Sequence, residues 1–386
     1  MSDRRLTKAR LRFFEGGIDE AVRQYDAEPS PDLLIIETQD APTAIFDKLD
    51  GLSRVCRRET HLILVGRHND VGLYRALIKQ GVHEYLPLPL DPVHLLDSVV
   101  AVCADPDARK LGRLVAFIGA SGGAGSTTLA NNVAWSLGKL FDGEVTLVDL
   151  DLAFGSVAID FNLDSPENAA QALAQSDRLD DQLLARIIGK YNENLGILTA
   201  PGDCARSADL EPAALDAMLT RLRQHVNWLV ADLPHYWGGW VRQALDASDE
   251  VVVTAVPTLA SLRNAKSILD ALAPRRKNDV PVRVVLNHVG ANPKTDISPH
   301  DFANALGSPL TANLPHDPGV FAQAANTGHM VGEGSRVKSV IEPLNALAAL
   351  VSGRRDAEKH SPARKAGLLA KLLPVAAAIA AARTKA

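Results

Sequence analysis

The stretch Phe117–Leu129, FIGASGGAGSTTL, decides how this chain folds. It follows an apolar run, LVAF, and leads into a helical pattern, NNVAWSLGKL. Glycines between a strand and a helix let successive N–H groups converge on one point, and the helix N-terminus adds its dipole. Together these make a phosphate cradle. Gly122, Gly123, Ala124 and Gly125 supply the turn. Ser126 and Thr128 are placed to meet phosphates, and Thr127 to reach a magnesium ion. The competing reading is a glycine-rich connection with no ligand.

The usual phosphate loop reads G-x-x-x-x-G-K-[ST]. Ser126 occupies the lysine position. An ammonium there would offset charge on the β- and γ-phosphates, most of all in the transition state. Without it the backbone cradle can still bind while hydrolysis falls steeply.

Outward from the loop lie further apolar runs: VTLVDLD, LGILTA, WLVADLP, EVVVTAVP and VRVVLNHV. They are near-continuously apolar, as expected of parallel strands covered on both faces. Helical patterns separate them, so residues 113–353 read as an α/β domain with a mostly parallel sheet. Asp149 and Asp151 fall at one strand's C-terminal end and Asp232 at another's, where ligands of open α/β sheets collect. Asp149 and Asp232 suit a hydrated magnesium ion, directly or through water, and Asp151 is placed to orient an attacking water. Each could instead cap a turn or helix.

Residues 1–105 repeat the alternation on a smaller scale. LRFF, LLII, LILV and EYLPL read as strands with amphipathic helices between them. Residues 106–112, after Asp105, read as a linker, and 354–386 as a basic, apolar tail. PDLLIIE resembles the third strand of a response-regulator receiver, which implies a flavodoxin-like fold. Glu37 stands at the phosphoacceptor position, Gly66 where receivers place Ser or Thr, and Leu88 where they place lysine. No acidic pair follows LRFF. All four chemical parts of a receiver are missing, so a pseudo-receiver used for docking or dimerisation is expected.

The larger domain is similar to MinD- and ParA-like proteins. That group carries a second lysine near the loop's start, where Ser121 stands here. VTLVDLDLAFGS, WLVADLPHYW, VVVTAVPTLASLRNAKSILDAL, VVLNHVG and LPHDPGVFAQAANTG, in this order, resemble the CpaE/TadZ family of pilus assembly proteins, a branch of that group. The resemblance spans nearly the whole chain. It implies a role in Flp (Tad) pilus biogenesis, polar positioning, a homodimer, and contacts with the pilus machinery, including its motor ATPase. It also implies ATP or ADP with Mg2+ as ligands. Asn287 then faces the adenine, and Pro315, His316 and Asp317 line the base pocket. His288 replaces an arginine common in relatives. Trp237 and Trp240 fall in a segment that reports nucleotide state, although ordinary packing explains them equally well.

Composition narrows the alternatives. The net charge is −5, so no general nucleic-acid binder is expected. Cys56, Cys103 and Cys204 are few and scattered, which suits a reducing cytoplasm. No secretory signal or ordinary membrane span is evident. Leu368, Leu369, Leu372 and Leu373 cluster on one helical face, with Lys365 and Lys371 away from it. Residues 364–383 could therefore meet an anionic membrane surface, or pack on the protein, or stay disordered. Three functions compete: a nucleotide-responsive assembly factor with weak or no hydrolysis, a cycling ParA/MinD-like ATPase, and a phosphorelay regulator. The missing receiver chemistry counts against the last.

Overall fold

The computed structural model describes residues 9–103, 111–163, 168–176, 179–204, 210–334 and 337–354. The expected linker falls mostly, and the tail almost wholly, outside these residues. Two compact units divide the chain, one of residues 1–110 with Leu272–Pro281, the other of Leu111–Ala271 with residues 282–386.

The smaller unit runs α1 (Gly17–Ala27), β1 (Leu33–Thr38), α2 (Pro42–Val55), β2 (His61–Gly66), α3 (Val71–Lys79), β3 (Glu84–Pro87) and α4 (Pro92–Cys103). Its strands are parallel, in the order β1-β2-β3. Alternation along β1 buries Leu34 and Ile36 against Ile18 of α1 and Ile45 and Leu49 of α2. The opposite face gathers Ile63, Val65 and Leu86 with Leu95 and Val99 of α4. One expectation is corrected here. LRFF is not a strand. Leu11, Phe13 and Phe14 are exposed at 46%, 75% and 46%, and among the described residues β1 pairs only with β2. Four residues with no partner strand gain too little to order as a strand.

The larger unit begins with β4 (Arg113–Gly119), α5 (Ser126–Phe141), β5 (Val145–Asp149), α6 (Val157–Asp160), α7 (Ala169–Ala174) and α8 (Asp181–Ile187). β6 (Gly189–Lys190), β7 (Leu195–Leu198), α9 (Pro212–Arg223), β8 (Trp228–Leu233), α10 (Gly239–Ala247) and β9 (Glu250–Ala255) follow. The unit closes with α11 (Leu259–Leu272), β10 (Arg283–Val289), α12 (Pro299–Leu306), β11 (Ala312–Pro315), α13 (Pro318–Thr327), α14 (Val331–Gly334) and α15 (Lys338–Val351).

Eight strands form one sheet in the order β11-β10-β9-β4-β8-β5-β7-β6, parallel except for the short antiparallel β6. The α/β, mostly parallel architecture is therefore the one observed. β4 sits between β8 and β9 and is wholly buried from Leu114 to Gly119. Phe117, Leu147 and Val230 pack with Leu129, Val133 and Leu137 of α5 and with Leu344 and Leu347 of α15. Each such buried side chain contributes about 1.5–3 kcal/mol relative to exposure. This packing fixes where β4 ends and α5 begins, and so fixes the glycine loop between them.

Candidate functional site

The loop between β4 and α5 is held from outside by its carbonyls. The Gly119 carbonyl accepts from His235 Nδ1 (2.8 Å), Ala120 from Asn264 Nδ2 (2.8 Å), and Ala124 from Asn287 Nδ2 (2.9 Å). Ala120 N–H donates to Thr254 and Ala124 N–H to Ser121. Among the described residues, none accepts from the N–H groups of Gly122, Gly123, Gly125, Ser126 or Thr127. Carbonyls tied outward and amides left free are the signature of an anion cradle. The curl needs glycine. Gly123 and Gly125 have φ of 72° and 84°, and a Cβ on Gly125 would lie 2.5 Å from the Asn287 amide nitrogen.

Several polar atoms around the loop are buried without a partner in the protein. They are the Ser121 and Ser126 hydroxyls, the Thr254 hydroxyl, Asp232 Oδ1 and Asn287 Oδ1. Buried polar groups are normally satisfied, so this concentration marks a place built for something more. The two serines are the two lysine positions.

The carboxylates lie on neighbouring strands. Asp149 of β5 and Asp232 of β8 are register partners, and both are buried. Asp149 accepts from Asp151 N–H (3.0 Å) and Val157 N–H (3.3 Å). Burial still pushes its pKa up, to about 7, with Asp151 and Asp160 adding to the shift. Asp232 is raised well above the carboxylate range by burial first and by Asp149 second, while the Thr127 hydroxyl donates to it and works the other way. Gly155 lies so close to Asp149 that any side chain there would collide with the carboxylate and with Ala200. Two buried carboxylates with raised pKa and a threonine hydroxyl beside them form a hard, oxygen-rich donor set that fits Mg2+.

Asp151 lies two residues beyond the end of β5, just before a turn, and its Oδ1 accepts from Phe154 N–H (3.1 Å). Asn287 is pinned to the loop by its amide nitrogen, which leaves its oxygen as the free end. Asp317 caps α13 through Val320 N–H, and Pro315 closes β11. His288 has a left-handed φ of 58°, and its ring meets His316 edge-on at 5.3 Å. Burial, then His316, lowers the His288 pKa. Trp240 packs inward on α10, whereas Trp237 stays 43% exposed beside Tyr236.

Sequence reading missed three residues that shape the loop. His235 and Asn264 clamp two carbonyls, and Gly155 makes room for Asp149. The only signal for them was their position two to nine residues past a strand end. In the smaller unit, Glu37 lies on the exposed face of β1. A Cβ at Gly66 would collide with the Tyr85 ring, which explains why the hydroxyl expected of a receiver is absent. A lysine does stand near the end of β1, but Lys48 comes from α2 and pairs with Asp19 (2.6 Å) and Asp40 (2.9 Å).

Comparison with known proteins follows the same outline. The family model of cellulose biosynthesis protein BcsQ matches residues 113–272. An ATP-binding protein of Methanocaldococcus jannaschii is 25% identical, over 55% of this chain and 77% of its own length. A ParA family ATPase from Chlorobium tepidum superposes with a TM-score of 0.57 at 22% identity, over 61% of this chain and 98% of that one. The Pyrococcus horikoshii septum site-determining protein MinD, complexed with Mg-ADP, gives 0.56 at 20%, over 64% and 98%. A pilus assembly protein CpaE from Caulobacter crescentus is 39% identical over 26% of this chain and 82% of its own, with a TM-score of 0.26. With the glycine loop, the orphaned hydroxyls and the paired strand-end carboxylates in place, the larger unit has the mostly parallel P-loop fold of MinD- and ParA-like ATPases.

Proposed function

We propose that the chain is a nucleotide-binding assembly factor whose lysine-free loop holds ATP or ADP with Mg2+ and hydrolyses it weakly or not at all. One observation carries this reading. The cradle is intact, yet both lysine positions are serines whose hydroxyls have no partner. Backbone amides supply binding, while the charge that would stabilise the transition state is missing. Gly122–Gly125, Ser126 and Thr128 take the phosphates. Thr127, Asp149 and Asp232 take the metal, which when bound neutralises phosphate charge. Asn287 Oδ1 is the free acceptor for the base, flanked by Pro315 and Asp317.

The ordered motifs resembling CpaE/TadZ support a place in Flp (Tad) pilus biogenesis, in a homodimer that meets the pilus machinery and its motor ATPase at the inner membrane. Phe154, Tyr236 and Trp237 are exposed on the loops beyond β5 and β8, with Leu259 exposed at the start of α11, and aromatic anchors of this kind suit a partner surface. The second reading is a cycling ParA/MinD-like ATPase, favoured by the fit of Asp149 and Asp232 to a metal.

Calorimetry of ATP and ADP with Mg2+, on the wild type and on Asp149→Ala, tests the site. Micromolar ATP binding that the variant loses is the expected result. No binding at millimolar ATP would leave a purely structural role. Measurable steady-state phosphate release would favour the second reading.

A further inference from the structure

A loop that lost both lysines still has to face a triphosphate. A cation tied to the loop's first turn comes from α11. Asn264 donates from Nδ2 to the Ala120 carbonyl (2.8 Å), directly before Ser121. Its Oδ1 accepts from two nitrogens of Arg263, Nε at 3.2 Å and Nη2 at 3.0 Å. The Arg263 guanidinium is therefore joined to the loop's first turn through a single amide side chain. It is solvent-exposed, while Asn264 is half-buried beneath it. The Ser261 hydroxyl is buried and accepts from Val256 N–H, and Thr258 Oγ1 accepts from Ser261 N–H. These bonds fix the first turn of α11 against β9, the strand that flanks β4.

We propose that Arg263 supplies the cationic contact to the terminal phosphate that lysines at 121 and 126 would otherwise make. The assignment rests on the nucleotide-binding reading above. Arg263 is joined through Asn264 to the turn that contains Ser121, whose hydroxyl is buried and unpartnered. A planar guanidinium keeps its charge at any working pH and can present two parallel N–H groups to one phosphate. The contact to Asn264 uses a single amide oxygen, so the fork keeps donors free for a ligand. Asn264 is the positioning residue: one end of its amide holds the loop and the other holds the arginine.

The test is titration of the full chain with Mg-ATP and with Mg-ADP, in the wild type, Arg263→Gln, and Arg263→Gln combined with Ser126→Lys. Arg263 is exposed, so the single variant is expected to fold normally, checked by its melting curve. ATP affinity should fall roughly ten-fold in Arg263→Gln, the scale of one charge-assisted pair. ADP affinity should change little, and the added lysine should restore ATP binding. Wild-type affinity for ATP in Arg263→Gln would overturn the assignment, as would an equal loss for ADP or a failure of the lysine to rescue. If the wild type bound neither nucleotide, the nucleotide-binding reading itself would fall first, and the two failures are told apart by that control.

Discussion

Asp149 and Asp232 are register partners on the adjacent parallel strands β5 and β8, and both carboxylates are buried beside the glycine loop. Two carboxylates brought together away from water cannot both ionise cheaply: burial raises both pKa values, and Asp149 raises that of Asp232 further. Apart from a cation, such a pair is a local fault in the fold. Its persistence at the end of two central strands is the strongest physical argument for a metal site.

A pH dependence follows. The Asp149 pKa rises from its ordinary 3.8 to about 7 on folding, so between those values the folded chain holds a proton that the unfolded chain has released. Stability therefore falls as pH rises through this window, by at most about 1.4 kcal/mol per pH unit for one group, and the penalty is complete above pH 7. In metal-free buffer, Asp149→Asn should be more stable than the wild type at pH 8, with the gap closing towards pH 4. Thermal melts of both proteins across that range check it. A gap that stays constant with pH would mean that the carboxylate is not protonated in the fold.

Metal addition should act on the same penalty. Mg2+ with nucleotide should raise the wild-type melting temperature more at pH 8 than either component alone, and chelation should return it to the free value. Asp149→Asn should lose this joint effect. Differential scanning fluorimetry with EDTA controls reads it directly.

Gly125→Ala should strain the loop and shift Asn287 together. The left-handed φ of 84° costs an alanine roughly 1–2 kcal/mol, and its methyl would meet the Asn287 amide that holds the Ala124 carbonyl. Denaturant midpoints should fall accordingly, and nucleotide binding should be lost beyond what the stability change explains. Gly122→Ala is the control, because open space surrounds that position.

The loop and the strand ends were legible because they depend on local chemistry. A glycine run between an apolar strand and a helix has few uses, and aspartates that close apolar strands fall at one edge of a parallel sheet. The surroundings of Asp151 were not legible in the same way, because β5 stops at Asp149 and no strand pattern fixes the chain beyond it. LRFF reads as a strand from its short apolar run, but a strand also needs a neighbour to pair with, and no local pattern shows one. His235 and Asn264 escaped notice for a related reason. Their partners, Gly119 and Ala120, lie more than a hundred residues away in sequence, and only the sheet order brings them together.

Glu250 tests the frame that carries the site. It is fully buried on β9 and accepts from Arg113 Nη2 (2.7 Å) of β4 and from Arg283 Nε (2.8 Å) of β10. One carboxylate thus ties three neighbouring strands at the edge opposite the loop. Removing it leaves two guanidinium groups without their partner, which in buried pairs costs about 3–5 kcal/mol. Because both arginines keep some exposure, Glu250→Ala should fall at the low end, near 3 kcal/mol, in urea unfolding.

Ser126→Lys asks whether charge alone separates this loop from a working one. Ser126 begins α5, and its hydroxyl has no partner, so no hydrogen bond of its side chain within the protein is given up when it is replaced. A lysine there places an ammonium against the phosphates, where it also favours the transition state. ATP affinity should rise roughly ten-fold, and phosphate release should climb above the wild-type rate in a coupled assay. Tighter binding with no gain in turnover would locate the remaining defect in the attacking water. Asp151 would be its source, since that carboxylate is already engaged in capping the turn at Phe154.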